Sequence, residues 1–141
     1  MGIDNRARAT GRGEVVKVVR IRIAWPRGEV TAALDDTASA RTLLAALPLK
    51  ANAHLWGEEV YFEIPVAISL EHDARQVVPP GTVCFWVEGC SLALPWGRTP
   101  ISETDQSKLV APCNVLGKIE GDARRLSEVR AGDEIVVELV T

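Results

Sequence analysis

At 141 residues, with 47% hydrophobic and 25% charged side chains, the chain has the size and composition of one globular domain able to bury its own core. A formal net charge of -3 provides no global field for nucleic acid. No run approaches the roughly 18 apolar residues of a membrane span, and the basic N-terminus lacks the apolar stretch of a secretory signal.

Residues 1–13 carry Arg6, Arg8 and Arg12 in a setting with no apolar pattern. They read as a disordered tail ahead of a domain at 14–141. Three arginines without interleaved aromatics are weak grounds for a nucleic-acid arm. Residues 15–24 alternate, with Val15, Val19, Ile21 and Ile23 on one face and Arg20 and Arg22 on the other, as in a strand with one face in water. Pro26-Arg27-Gly28 predicts a turn, and 29–34 the returning strand. Asp35-Asp36 offers an N-cap for a helix whose apolar face is Ala40, Leu43, Leu44 and Leu47, stopped by Pro48. So short a helix must pack on something, and the open end of a barrel is the expected place.

Strand patterns then resume. Val60, Phe62, Ile64 and Val66 point to a core, and Glu59, Tyr61, Glu63 and Pro65 to the outer face. Val77-Val78-Pro79-Pro80-Gly81 reads as a turn. Strand 82–87 follows, with Val83, Phe85 and Val87 opposite Cys84 and Trp86. Glu88-Gly89-Cys90 turns into strand 91–96, where Leu92, Leu94 and Trp96 share a face. Residues 98–112 have no clear period and predict a long irregular loop, a kind that is usually functional or mobile. A strand at 114–120, a helical turn at 122–129 and a last strand facing Ile135, Val137 and Leu139 inward complete the chain. About eight short strands and no β-α-β alternation predict a mainly β, antiparallel closed barrel with one or two capping helices.

Four segments in this order carry a family resemblance: Trp56-Gly57-Glu58-Glu59-Val60-Tyr61-Phe62, Gly81-Thr82-Val83-Cys84-Phe85-Trp86, Trp96-Gly97-Arg98-Thr99-Pro100-Ile101-Ser102, and Asn114-Val115-Leu116-Gly117-Lys118-Ile119-Glu120-Gly121-Asp122. With them, the chain from about residue 14 onward resembles the cyclophilin-like domain family of bacterial and archaeal proteins of unknown function. The resemblance implies a cyclophilin-type eight-stranded barrel. It does not imply prolyl isomerase activity, because the Phe-x-Arg and Gln-Gly-Gly-Asp segments of true isomerases are missing here. In that family Val is common at the position of Cys113, which makes this cysteine look like a packing substitution.

The candidate chemistry is sparse. Glu59 and Glu63 on one strand face would stand about 13 Å apart. That is too far for a glycosidase pair, and they read as a solvated outer face. Two distant histidines, His54 and His72, and three scattered cysteines give no metal-ligand spacing. No cofactor is expected. Cys84, Cys90 and Cys113 include no C-x-x-C, which fits reduced thiols in a cytoplasm, although a Cys84–Cys90 bond across the hairpin is conceivable. Trp56, Trp86 and Trp96, each near a strand end, either plug the ends of the barrel or line one concave site beside Arg98. The leading expectation is a small cytoplasmic domain that binds a small molecule or peptide in a groove between Trp56, Tyr61, Trp86, Trp96 and Arg98. In that groove Arg98 would fix a carboxylate or carbonyl of the ligand. The alternatives are a divergent peptidyl-prolyl isomerase using Arg98, and a homo-oligomeric interaction module. Neither nucleic acid nor membrane is an expected partner.

Overall fold

Strict alternation builds the first hairpin. In the computed structural model, which describes residues 18–141, β1 (Val19–Trp25) pairs with β2 (Gly28–Leu34) from Val19↔Leu34 to Trp25↔Gly28. The expected tail and the expected strand residues 15–17 lie outside the described residues. Ile21, Ile23, Trp25, Val30, Ala32 and Leu34 are buried. On the opposite face Arg20 bonds Glu120 at 2.9 Å, and Arg22 bridges Glu29 and Glu138, each at 3.2 Å. These half-exposed pairs contribute at most about 1 kcal/mol each.

Helix α1 spans Ala38–Ala45. Its cap is Thr37 rather than Asp35 or Asp36: the Thr37 hydroxyl accepts from the Ala40 N–H at 3.1 Å. Asp35 is held back because its N–H donates to the Leu116 carbonyl at 2.8 Å and so prolongs the sheet. Ala40 and Leu43 enter the core, as their spacing predicts.

The remaining strands are β3 (Leu49–Asn52), β4 (His54–Leu55), β5 (Glu59–Glu63), β6 (Arg75–Val78), β7 (Thr82–Trp86), β8 (Ser91–Pro95), β9 (Ser107–Glu120) and β10 (Glu134–Leu139). A 3-10 helix at Ala123–Glu128 is capped by Asp122, whose carboxylate accepts from the Arg124 N–H at 3.0 Å. The order β3-β10-β1-β2-β9-β7-β8-β5-β4, with β6 on β9, makes a ten-stranded antiparallel sheet. The fold is therefore mainly β with two short helices. The described strands number ten where about eight were expected, and no ladder among them joins the edge strands β3 and β4, which are one residue apart in the chain.

Two segments depart from the sequence reading. Val77 and Val78 belong to strand β6, not to a turn, and 107–112 form the first half of β9, not an irregular loop. They pair with each other, Val77↔Lys108 and Val78↔Ser107. Their register slips before Arg75↔Cys113, near Pro112, which cannot donate to a ladder. Leu139, expected inside, is 48% exposed at the C-terminal end of β10.

One face of the sheet encloses the main core, with Phe62, Phe85, Leu92, Leu94, Leu116 and Ile135 all fully buried. Gly117 permits its tightest crossing: a Cβ there would stand 2.1 Å from the Ala33 carbonyl of β2. The opposite face of β5, β8 and β7 is not left to water. β6 and the start of β9 cover it, making a second cluster of Val78, Cys84, Ala93, Leu109 and Cys113.

Candidate functional site

The second cluster closes imperfectly and leaves a pocket of about 120 Å³ lined by Trp56, Glu59, Tyr61, Trp86, Ala93, Leu109, Val110 and Cys113. Strand register explains its shape. His54 of β4, Tyr61 of β5, Ala93 of β8, Cys84 of β7 and Val115 of β9 form one lateral row across the sheet. Ala93 is the smallest of these, so the floor is low where its neighbours rise. His54 stacks on Tyr61 with ring centroids 5.2 Å apart, and Tyr61 meets Trp86 edge-on at 6.1 Å and 84°. Such pairs hold their rings in fixed relative orientation. Trp86 is also set by the β7–β8 turn: its ring lies on Gly89, where a Cβ would fall 2.2 Å from the indole.

Glu59 is the polar member of the wall. Although it was expected to be solvated, it is only 5% exposed, because the flap of β6 and β9 lies over its face of β5. Its Oε1 has no hydrogen-bond partner. Burial pushes its carboxyl up to about 7, since an ion loses its hydration there. The neighbouring thiols are driven the same way. Burial, aided by Glu59 and Glu88, takes Cys113 up to about 12. Cys84 is raised by burial, Cys113 and Glu59, against a lowering pull from Arg75. A thiol so raised is not a nucleophile at neutral pH. All three cysteines are free.

The structure brings together Trp56, Tyr61 and Trp86 from the expected groove, and leaves Trp96 and Arg98 out of the pocket wall. Trp96 packs half-buried against the main core. Arg98 turns to its own loop, donating to the carbonyls of Thr104 at 2.8 Å and Ser102 at 3.1 Å. That loop is tied down. The Ser102 hydroxyl accepts from the N–H groups of Thr99 at 2.9 Å and Lys108 at 3.0 Å, and Ser107 donates to the Gly97 carbonyl. The two Trp-Gly segments meet here: the N–H of Trp96 donates to the Glu58 carbonyl, and the Glu58 N–H donates to the Arg98 carbonyl. Glu58 Oε1 also accepts from the Arg98 N–H at 2.8 Å, at a spot where any side chain on Gly97 would collide. The Trp-Gly-Arg-Thr-Pro-Ile-Ser segment thus anchors the start of β9, part of the pocket's roof, and Arg98 serves as a clamp.

Asn114 plays a similar part in the next segment. Fully buried, it donates to the Ser39 hydroxyl and the Ser69 carbonyl, both at 2.9 Å, and accepts from the Glu71 N–H at 2.8 Å. It ties α1 and the 64–74 connection to β9. Among the described residues no group of three or more His, Cys, Asp or Glu could hold a metal ion, and no helix is long and apolar enough to cross a membrane.

Sequence reasoning missed Glu59, Ala93, Leu109, Val110 and Cys113 as pocket residues. One signal was present: an acidic side chain two residues from Tyr61 on a strand flanked by a Trp-Gly turn.

Comparison with known proteins agrees with this architecture. A family model described as Cyclophilin-like matches residues 19–138. The solution structure of the hypothetical protein AF2241 from Archaeoglobus fulgidus is 33% identical in sequence, with a TM-score of 0.76, and the match covers 91% of this chain and 99% of that one. No curated protein matches the chain. With nearly the whole sheet inside the matched region, this chain belongs to the cyclophilin-like family.

Proposed function

We propose that the protein is a small-molecule binding domain whose ligand enters the pocket between Trp56, Tyr61 and Trp86 over Ala93. The observation that carries this reading is an aromatic-walled cavity of about 120 Å³ that holds one buried carboxylate without a partner. Ligand sites are mostly apolar hollows with a few placed polar groups, and this one has that make-up on a small scale. An engineered apolar cavity of about 150 Å³ takes a benzene molecule, so the present pocket accepts a single ring or a compact branched group and leaves the rest of a larger ligand outside. Arg98 has no part in this recognition, and the carboxylate of Glu59 takes the polar role that the sequence reading gave to the arginine.

The test is a panel of single-ring and small branched compounds followed by the four indole N–H signals in NMR. Binding in the pocket moves the signals of Trp56 and Trp86, leaves that of Trp25 in place, and is lost in Trp86→Ala with the remaining spectrum intact. A panel that moves none of these signals overturns the reading.

A further inference from the structure

We infer that this pocket selects small organic cations, an ammonium head group carrying short alkyl substituents, over neutral molecules of the same shape. The inference rests on the binding reading above and goes beyond it by fixing the sign of the ligand's charge.

Three features of the wall point the same way. Trp56, Tyr61 and Trp86 all line a cavity sized for a compact group. Aromatic faces attract cations, most strongly where water is excluded. Glu59, 95% buried on its exposure of 5%, belongs to the same wall, and its Oε1 has no hydrogen-bond partner within the protein. A buried carboxylate without a counter-charge is costly, and a cation in contact range removes much of that cost. Finally, neither Lys nor Arg is among the lining residues.

The charged surroundings agree. Glu88 raises the proton affinity of Cys113 together with Glu59, so the net influence on this thiol is negative. Arg75 of β6 stands opposite Cys113 in the ladder, but its side chain is exposed at the roof, and its pull is registered at Cys84. His54 covers the far side of Tyr61, outside the lining. An anionic ligand would meet Glu59 with no fixed positive charge in the wall to offset it. A cation would meet aromatic surface and a carboxylate that, with its proton affinity near neutrality, ionises readily once a positive partner arrives.

The experiment compares choline and tetramethylammonium with 3,3-dimethyl-1-butanol, the neutral isostere of choline, by indole NMR at pH 8 in 150 mM sodium chloride. The expected result is at least about tenfold tighter binding of choline than of the isostere. Glu59→Gln should reduce that preference to the share the aromatic wall supplies, while its spectrum stays that of the folded protein. Equal binding of choline and its isostere to the unmodified protein overturns the inference without any variant. A preference of undiminished size in Glu59→Gln overturns the carboxylate's part in it. If the cations leave the Trp56 and Trp86 signals still while neutral members of the single-ring panel move them, the cation inference falls and the pocket reading stands. If neither set moves them, both fall.

Discussion

Tyr61 and Trp86 stand edge-on with centroids 6.1 Å apart, and Ala93 lies on the strand between theirs. Two large rings fixed on either side of a methyl group leave a hollow that neither ring can collapse into, because His54 holds one and Gly89 seats the other. The pocket is therefore a consequence of cross-strand register and of the size of one residue.

Filling that hollow should abolish binding without touching a polar group. Ala93→Leu adds three carbons to the floor, which costs about 1–3 kcal/mol of stability by overpacking. Its folded spectrum should persist, with no response of Trp56 or Trp86 to any compound that binds the unmodified protein. A response of normal size would mean that the ligand sits elsewhere.

Glu59 makes stability depend on pH. Its folded-state value of about 7 lies above the ordinary 4.5, so the native state holds the proton more tightly than the unfolded chain does. Its contribution is fully present below about 4.5 and is lost as pH rises through about 7. The difference corresponds to about 3 kcal/mol between pH 4 and pH 8. Urea unfolding of Glu59→Gln should lack this component and give a more stable protein than the unmodified one at pH 8. Parallel pH profiles for the two proteins would refute it.

Asn114→Ala removes three hydrogen bonds and leaves the Glu71 N–H and the Ser69 carbonyl without their partner. Each buried group so stranded costs about 1–3 kcal/mol. The expected outcome is a loss of about 2–5 kcal/mol in chemical unfolding, with faster amide exchange at Glu71. Exchange there at the unmodified rate would mean that the 64–74 connection does not depend on Asn114.

Arg98→Ala should loosen the 98–107 loop and nothing more. Its guanidinium is half exposed and bonded to loop carbonyls, so the stability loss should be about 1 kcal/mol. Ligand-induced shifts of Trp86 should be unchanged. Their loss would place Arg98 in recognition after all.

Thiol labelling separates the cysteines. Cys84 and Cys113 are buried and held well above their ordinary proton affinity, whereas Cys90 is partly exposed in the β7–β8 turn. One thiol should react quickly with a disulfide reagent under native conditions and two only on unfolding. Rapid reaction at Cys113 would show that the flap opens.

Alternation in the amino-acid sequence was enough to assign Ile21, Ile23, Val60, Phe62, Val83, Phe85, Leu92 and Leu94 to a core, and all eight are buried in it. The period of a strand is local, so a face rich in branched and aromatic residues declares itself over five or six positions. The four Gly-bearing segments, three of them with Trp, likewise identified the family. What covers the other face is not local. Whether Glu59 meets water depends on β9, some fifty residues on, and on β6. Ser107 and Lys108 blur the start of β9, Pro112 interrupts its ladder, and β6 is four residues long, so neither β6 nor the first half of β9 stood out from its surroundings. A carboxylate on an alternating strand reads as solvated until the tertiary structure lays a second layer over it. In the same way Arg98 reads as the group that fixes a ligand's carboxylate or carbonyl until the loop carbonyls it binds are in place. The sequence by itself therefore determined the main sheet and its core, while the pocket, and the sign of the charge in its wall, were decided by long-range pairing.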